Sequence, residues 1–291
     1  MSDPEPLEFT GERFTPECVR EMAYEHWHRY AWATELVDGA EVLDAACGEG
    51  YGSRLLAARA KSVVGVDIGE EAVAHARERY RGDNLRFDQA DATRLPFGDD
   101  SFDVVVSFET LEHLEAQETL LAEFRRVLRP DGFLIISSPD RKTYSDETGY
   151  DNPFHVRELY RDELESLISA TFPAYRLYGQ KLMFVSALWD LGNGGGRQFL
   201  TDDDGSVGVA DTPEYPPLYY IVVAAAETAS LPTVPGLSLY GDRGESVYRH
   251  YDEEVARHIR AGHLLAEREA EIERLRARLA RPWWRRILDR S

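Results

Sequence analysis

The chain has 291 residues, 43% of them hydrophobic, enough to bury the core of one large domain with extensions or of two small ones. Its net charge of −20 repels nucleic-acid phosphates, so non-specific DNA or RNA binding is not expected. Two cysteines, Cys18 and Cys47, form no disulfide framework and fit no zinc spacing. No apolar run approaches the roughly 18 residues of a membrane span, and the acidic "MSDPEPLEFTGERFTPE" lacks the apolar centre of a signal peptide. The expected location is the cytoplasm.

Residues 1–14 read as an extended arm. Thr15 and Pro16 suit the cap and first position of a helix reaching about Val37, with Met22, Ala23, Trp27, Tyr30 and Ala31 at helical spacing. Glu41–Ala46 reads as a buried strand, followed by a glycine loop and a helix over Tyr51–Arg59. Then come a strand at Ser62–Asp67, a helix at Glu70–Tyr80, a third strand in "NLRFDQ" and a fourth in "FDVVVSF". An amphipathic helix over Glu115–Leu128 precedes a fifth strand, "GFLIISSP". The alternation predicts an α/β fold: a doubly wound, mostly parallel, Rossmann-like sheet with helices on both faces. "RDELESLISATF" adds a helix. The aromatic runs "AYRLYGQKLMFVSALW" and "PPLYYIVVAAA" suit an antiparallel pair on the sheet edge, with residues 192–215 between them as a loop or hairpin excursion.

Four segments are expected: 1–39, arm and lid helix; 40–227, the α/β domain; 228–250, a Pro/Gly-containing linker; 251–291, a basic amphipathic helical tail. Residues 257–291 hold ten Arg against four Glu and one Asp, so the rest of the chain is near −25.

The stretch "EVLDAACGEGYGS" carries the chemistry. Gly48, Gly50 and Gly52 follow a strand and open a helix, so backbone N–H groups can approach a ligand closely. Gly-x-Gly alone also suits a dinucleotide. Asp44 lies inside the first strand, Asp67 ends the second and Asp91 follows the third, at intervals of 23 and 24 residues. One acid per strand–helix unit places all three on one sheet edge. Together they ask for an ammonium group, a ribose diol and an adenine amine without phosphate, and S-adenosylmethionine is such a molecule.

The runs "VLDAACGEGYGS", "VVGVD", "FDQADATRLPFGDDSFDVVVSFETLEHL" and "LRPDGFLIISSPD" resemble the class I S-adenosylmethionine-dependent methyltransferases, closest to the type 11 group. The resemblance covers roughly residues 40 to 226 and implies a seven-stranded sheet with an antiparallel last strand. It implies S-adenosyl-L-methionine as cofactor. It places Gly48 and Gly50 beside the methionine part, Asp67 and Ile68 at the ribose, Asp91 and Ala92 at the adenine, and Phe108 by the cofactor. Asp44 would orient the loop and support the amino group. Ala46 stands where the family usually has its first glycine, so slight crowding is expected. "GERFTPE", "EHWHRY" and "NPFHVRELYRDEL" resemble, more narrowly, methyltransferases of glycan and polysaccharide biosynthesis. In that reading Tyr24, His26 or Arg29 closes over the cofactor's carboxylate.

A hydroxyl acceptor needs to lose a proton, and an imidazole titrates near ~6.5. His113 and His155 are therefore the candidate bases, with Glu109 as a further catalytic candidate; no metal is expected. Glu112 and Asp140 are further candidates at the same sheet edge; His113 and its neighbours could instead only cap the next helix, and Asp140 could be a turn residue or could help a divalent metal. The expected reaction is O-methylation of a sugar hydroxyl in a glycan precursor or glycosylated metabolite. The alternatives are a small natural-product acceptor, a nicotinamide oxidoreductase, which Asp44 and Asp91 argue against, or a non-catalytic methyltransferase-like scaffold. The expected partner is a small-molecule or glycan acceptor and no nucleic acid. In the tail, Leu265, Ile272, Leu275 and Leu279 at 7-3-4 spacing and the run "PWWRRIL" are candidates for homodimer, partner-protein or membrane-surface contact, or for docking onto the chain's own acidic domain.

Overall fold

The computed structural model describes residues 15, 18, 21–183, 198–201, 207–210, 213 and 215–280. The arm, Pro16, most of the 192–215 excursion and "PWWRRIL" lie outside the described residues. The chain divides into two units, Met1–Tyr240 and Gly241–Ser291.

In the first unit, the elements are α1 (Glu21–Thr34), β1 (Glu41–Ala45), α2 (Tyr51–Leu56), β2 (Ser62–Asp67), α3 (Glu70–Arg79), β3 (Leu85–Gln89) and β4 (Phe102–Ser107). They continue with α4 (Gln117–Val127), β5 (Leu128–Pro139), α5 (Arg161–Thr171), β6 (Ala174–Gln180), β7 (Gln198–Thr201), β8 (Val207–Ala210) and β9 (Tyr219–Ala225). The seven-stranded sheet runs β3-β2-β1-β4-β5-β9-β6. Strands β1 to β5 pair in parallel, and β9 is antiparallel to both β5 and β6. The last strand is thus inserted inside the sheet, and β6 takes the edge. All seven residues of β9 are buried while β6 is mostly half-exposed, so the more apolar run takes the position covered on both sides. Strands β7 and β8 form a separate antiparallel hairpin.

The two faces of the sheet bury different cores. Leu43, Val64, Val105, Leu134 and Val222 pack with Leu120, Leu121 and Phe124 of α4 and Leu164 and Ile168 of α5. Val42, Val63, Val104, Val106, Ile135 and Ile221 pack with Tyr30 and Ala33 of α1 and Leu56 of α2. Successive residues of β1 therefore serve opposite cores, as the two-residue period requires. In α4, Leu120, Leu121, Phe124 and Val127 are each 0% exposed and form one stripe. Each such side chain contributes about 1.5–3 kcal/mol. The helices after β1 and before β5 are shorter than expected, ending at Leu56 and starting at Gln117, because tight turns occupy 57–60 and 111–113.

In the second unit, α6 spans Ser246–Ala280. It starts inside the expected linker because the Asp242 carboxylate accepts the Ser246 N–H and hydroxyl, which caps the helix. Leu265, Ile272, Leu275 and Leu279 are exposed along it. No helix among the described residues is long and apolar enough to cross a membrane.

Candidate active site

The carboxyl ends of β1 to β4 surround a cavity of about 230 Å³. Where β1 ends, three residues turn through positive φ: Ala46 at 58°, Gly48 at 57° and Gly50 at 95°. The loop is tied to β2 by the Cys47 N–H on the Val66 carbonyl at 2.8 Å. Asp67, at the end of β2, accepts the Gly48 N–H at 2.9 Å through one oxygen and the Gly69 N–H at 2.8 Å through the other. This carboxylate holds two loops and faces the cavity between them. After β3, one Asp91 oxygen accepts the Thr93 N–H and hydroxyl, which fixes the turn carrying Asp91 and Ala92. Glu49, between the two glycines, is buried and accepts from His75 and Tyr80, anchoring the loop to α3 and the turn that follows it.

Of the residues expected at the cofactor, Ala46, Gly48, Asp67, Ile68, Asp91, Ala92 and Phe108 line the cavity. Asp44 and Gly50 are not in its wall. Asp44 lies on the α1/α2 face, fully buried, and accepts the Tyr30 hydroxyl at 3.1 Å and the Ser53 hydroxyl at 2.5 Å. Burial pushes its carboxyl up to about 7, helped by the Asp67 charge and opposed by the two hydrogen bonds. Its place is behind the loop, which it ties to α1 and α2. Gly50 serves packing: a Cβ there would lie 2.8 Å from Ala76 Cβ and from the Phe87 ring. The expected crowding at Ala46 takes a different form, since its cost is a left-handed backbone that an alanine rarely adopts.

Sequence reasoning missed Cys47, Tyr51, Ala90, Thr110 and Leu114 in the wall. Each adjoins a motif residue but carries no signal of its own. His26 and Tyr30, four residues apart on α1, also line it. Burial and then the Arg29 charge hold His26 well below the usual imidazole range. Arg29 does not line this cavity. It is 1% exposed, donates to Gln180 at 2.7 Å, pairs with Glu109 at 3.1 Å and lies over the Tyr219 ring at 4.3 Å. Its Nη2 makes no hydrogen bond. Burial opposes the Arg29 charge, but Glu109 and other neighbours hold its pKa above the ordinary value.

Beyond β4 the wall is built from charged groups. Glu109 adopts φ 50° and accepts the Ser137 hydroxyl at 2.7 Å, and its N–H donates back to that hydroxyl. Glu109, Thr110 and His113 face the cavity. The helix-capping reading of Glu112 and His113 does not hold, because α4 has Ala116 at its N-cap and no side-chain cap hydrogen bond. Glu112 is 0% exposed, and burial and then Glu109 raise its carboxyl well above the usual range. His155 stands outside the cavity wall, its ring 5.1 Å from that of His113. Asp140 accepts weakly from the Lys142 N–H and the Thr143 hydroxyl, as a turn residue does.

The sheet order, the antiparallel inserted strand, the glycine turn and the acids at the ends of successive strands define a class. The fold is the Rossmann-like one of class I S-adenosylmethionine-dependent methyltransferases, and the site is similar to theirs. Residues 43–136 match the family described as a methyltransferase domain. A probable S-adenosylmethionine-dependent methyltransferase of Mycobacterium tuberculosis is 43% identical over 172 residues, covering 57% of this chain and 61% of that protein. The phthiotriol/phenolphthiotriol dimycocerosates methyltransferase of the same species is 37% identical over 109 residues, 37% of this chain and 40% of that one. The chain thus spans less than two thirds of these relatives. Among solved structures, the YcgJ protein of Bacillus subtilis shares the fold at 19% identity with a TM-score of 0.50, over 69% of this chain and 100% of that one.

Proposed function

We propose that the protein is an S-adenosylmethionine-dependent methyltransferase that O-methylates a sugar hydroxyl of a glycan precursor or glycosylated metabolite. One observation carries the cofactor reading. Among the described residues, the cavity wall holds three acids, Asp67, Asp91 and Glu109, and neither Lys nor Arg. Such a wall suits a cationic ligand with a diol and repels a pyrophosphate, which disfavours a nicotinamide dinucleotide. Asp67 would hold the ribose hydroxyls, Asp91 the adenine amine, and the Ala46–Gly48 turn the methionine part. The cofactor supplies a methyl group on a sulfonium, already activated for displacement. The protein's contribution is to align the acceptor and exclude water. Glu109, Thr110 and His113 would orient the acceptor's hydroxyl.

The sugar assignment is supported by the likeness of "GERFTPE", "EHWHRY" and "NPFHVRELYRDEL" to glycan-modifying methyltransferases. A hydroxylated natural product is the second reading, supported by the relative named for phthiotriol dimycocerosates. Calorimetric titration with S-adenosylhomocysteine, beside NAD and an Asp67→Ala control, tests the cofactor. Micromolar binding lost in the variant is expected; NAD binding in its place overturns the reading. Transfer of labelled methyl to glycosides but not to hydroxylated lipids tests the acceptor. Wild-type turnover in both His113→Ala and His155→Ala would remove the histidines from the reaction.

A further inference from the structure

Glu112 is 0% exposed, and among the described residues neither of its carboxylate oxygens has a hydrogen-bond partner. A buried carboxylate without donors is costly, and native structures answer it with a proton or with a cation. Two imidazoles adjoin it: one ligand atom each from Glu112, His113 and His155 lie within 4.8 Å of one another.

The protonation of both rings follows from their partners. His113 Nδ1 lies 2.9 Å from the Phe154 carbonyl oxygen, which can only accept, so Nδ1 carries a proton and Nε2 is the nitrogen left to offer a lone pair in the neutral ring. His155 Nδ1 lies 2.5 Å from a Glu158 carboxylate oxygen and donates to it. Its Nε2 lone pair accepts the Asn152 amide at 3.0 Å, a bond that a metal ion would replace. Each histidine thus has its outer nitrogen fixed by a carbonyl or carboxylate and the other available, the arrangement that orients metal-ligating histidines. Glu109 is not part of this cluster, and its Oε1 is engaged by Arg29 and Ser137.

We propose that Glu112, His113 and His155 form a binding site for a divalent transition-metal cation, beside the methyl-donor cavity that His113 lines. Two imidazoles and one carboxylate suit Zn²⁺, Mn²⁺ or Fe²⁺ better than Mg²⁺ or Ca²⁺, which favour all-oxygen sets. Three protein ligands leave coordination positions open to water or to an acceptor oxygen. This departs from the metal-free site expected above. The ion's use in the reaction rests on the methyltransferase reading; its binding does not.

The test is Mn²⁺ titration of the chelator-treated full chain, followed by electron paramagnetic resonance, with Zn²⁺ as competitor. One saturable site per chain is expected, displaced by Zn²⁺. It should weaken at least 100-fold in His113→Ala and His155→Ala, and about tenfold in Glu158→Gln, which removes only the orienting carboxylate. Should the variants unfold, the wild-type protein still decides: Mn²⁺ should broaden the His113 and His155 imidazole resonances before other histidines. The absence of a saturable site, a site unchanged in both histidine variants, or no selective broadening overturns the proposal. S-adenosylhomocysteine binding is measured on the same samples. Binding of that ligand without metal removes the ion alone, and metal without that ligand removes the cofactor reading alone.

Discussion

At one end of the sheet edge, both oxygens of Asp67 are filled by backbone N–H groups of neighbouring loops. Two strands away, both oxygens of Glu112 lack hydrogen bonds, and Arg29 is buried with an unpaired Nη2 against a Glu109 held at positive φ. At the cavity, the β1–β3 half presents the short acids Asp67 and Asp91, whose partners are backbone N–H groups and a hydroxyl of adjacent loops. The β4–β9 half is assembled from long charged side chains whose partners come from distant elements. Such satisfied short-range contacts make a rigid, generic seat. Buried and partly unsatisfied charges are what a site accepts when it must meet a particular ligand.

The comparison can be broken first at Asp44, a buried acid of the orderly half. Its carboxyl is pushed up to about 7, above the unfolded carboxylate, so the folded state binds the extra proton between roughly pH 4 and 7. Wild-type stability should therefore fall as pH rises through that window, by up to about 1.4 kcal/mol per pH unit relative to Asp44→Asn. Urea denaturation of both proteins from pH 4.5 to 7.5 measures the difference. A constant difference would show that Asp44 ionises normally and that the orderly half hides no stored charge.

At the other end, Arg29→Met should cost about 3 kcal/mol by leaving Glu109 without its cation. That corresponds to a melting temperature about 6–12 °C lower. The double variant with Glu109→Gln should regain part of it. No rescue would mean that Arg29 acts through packing on Tyr219 and its bond to Gln180. Asp67→Ala should weaken S-adenosylhomocysteine at least about 100-fold, near 2.7 kcal/mol, because it removes an acceptor and releases two loops. A loss under about tenfold would place the binding energy outside the orderly half. The smallest effect belongs to Ala46→Gly, which relieves a left-handed alanine. It should stabilise the fold by about 0.5–1 kcal/mol in thermal melts, with ligand affinity equal or tighter. A destabilised variant would mean that the Ala46 methyl has a packing role.

The sequence by itself determined the parallel sheet, the glycine turn, and the acids at the ends of β2 and after β3. Those features depend on neighbours a few residues away: a strand's two-residue period, a turn's φ, and an acid at or just past a strand's end. The capped start of α6 was missed for a local reason, since Gly241 and Gly244 conceal the Asp242–Ser246 pair. Tertiary structure alone decided that β9 enters the sheet inside β6, because burial on both faces compares two runs that sequence reads alike. It also decided that Asp44 turns away from the cavity toward Tyr30 and Ser53. Arg29 meets Gln180 across 151 positions, and His113 meets the Phe154 carbonyl across 41. Partners that far apart leave no spacing to read, because only the packing of α1 against β6, and of the turn after β4 against the loop before α5, brings their side chains together.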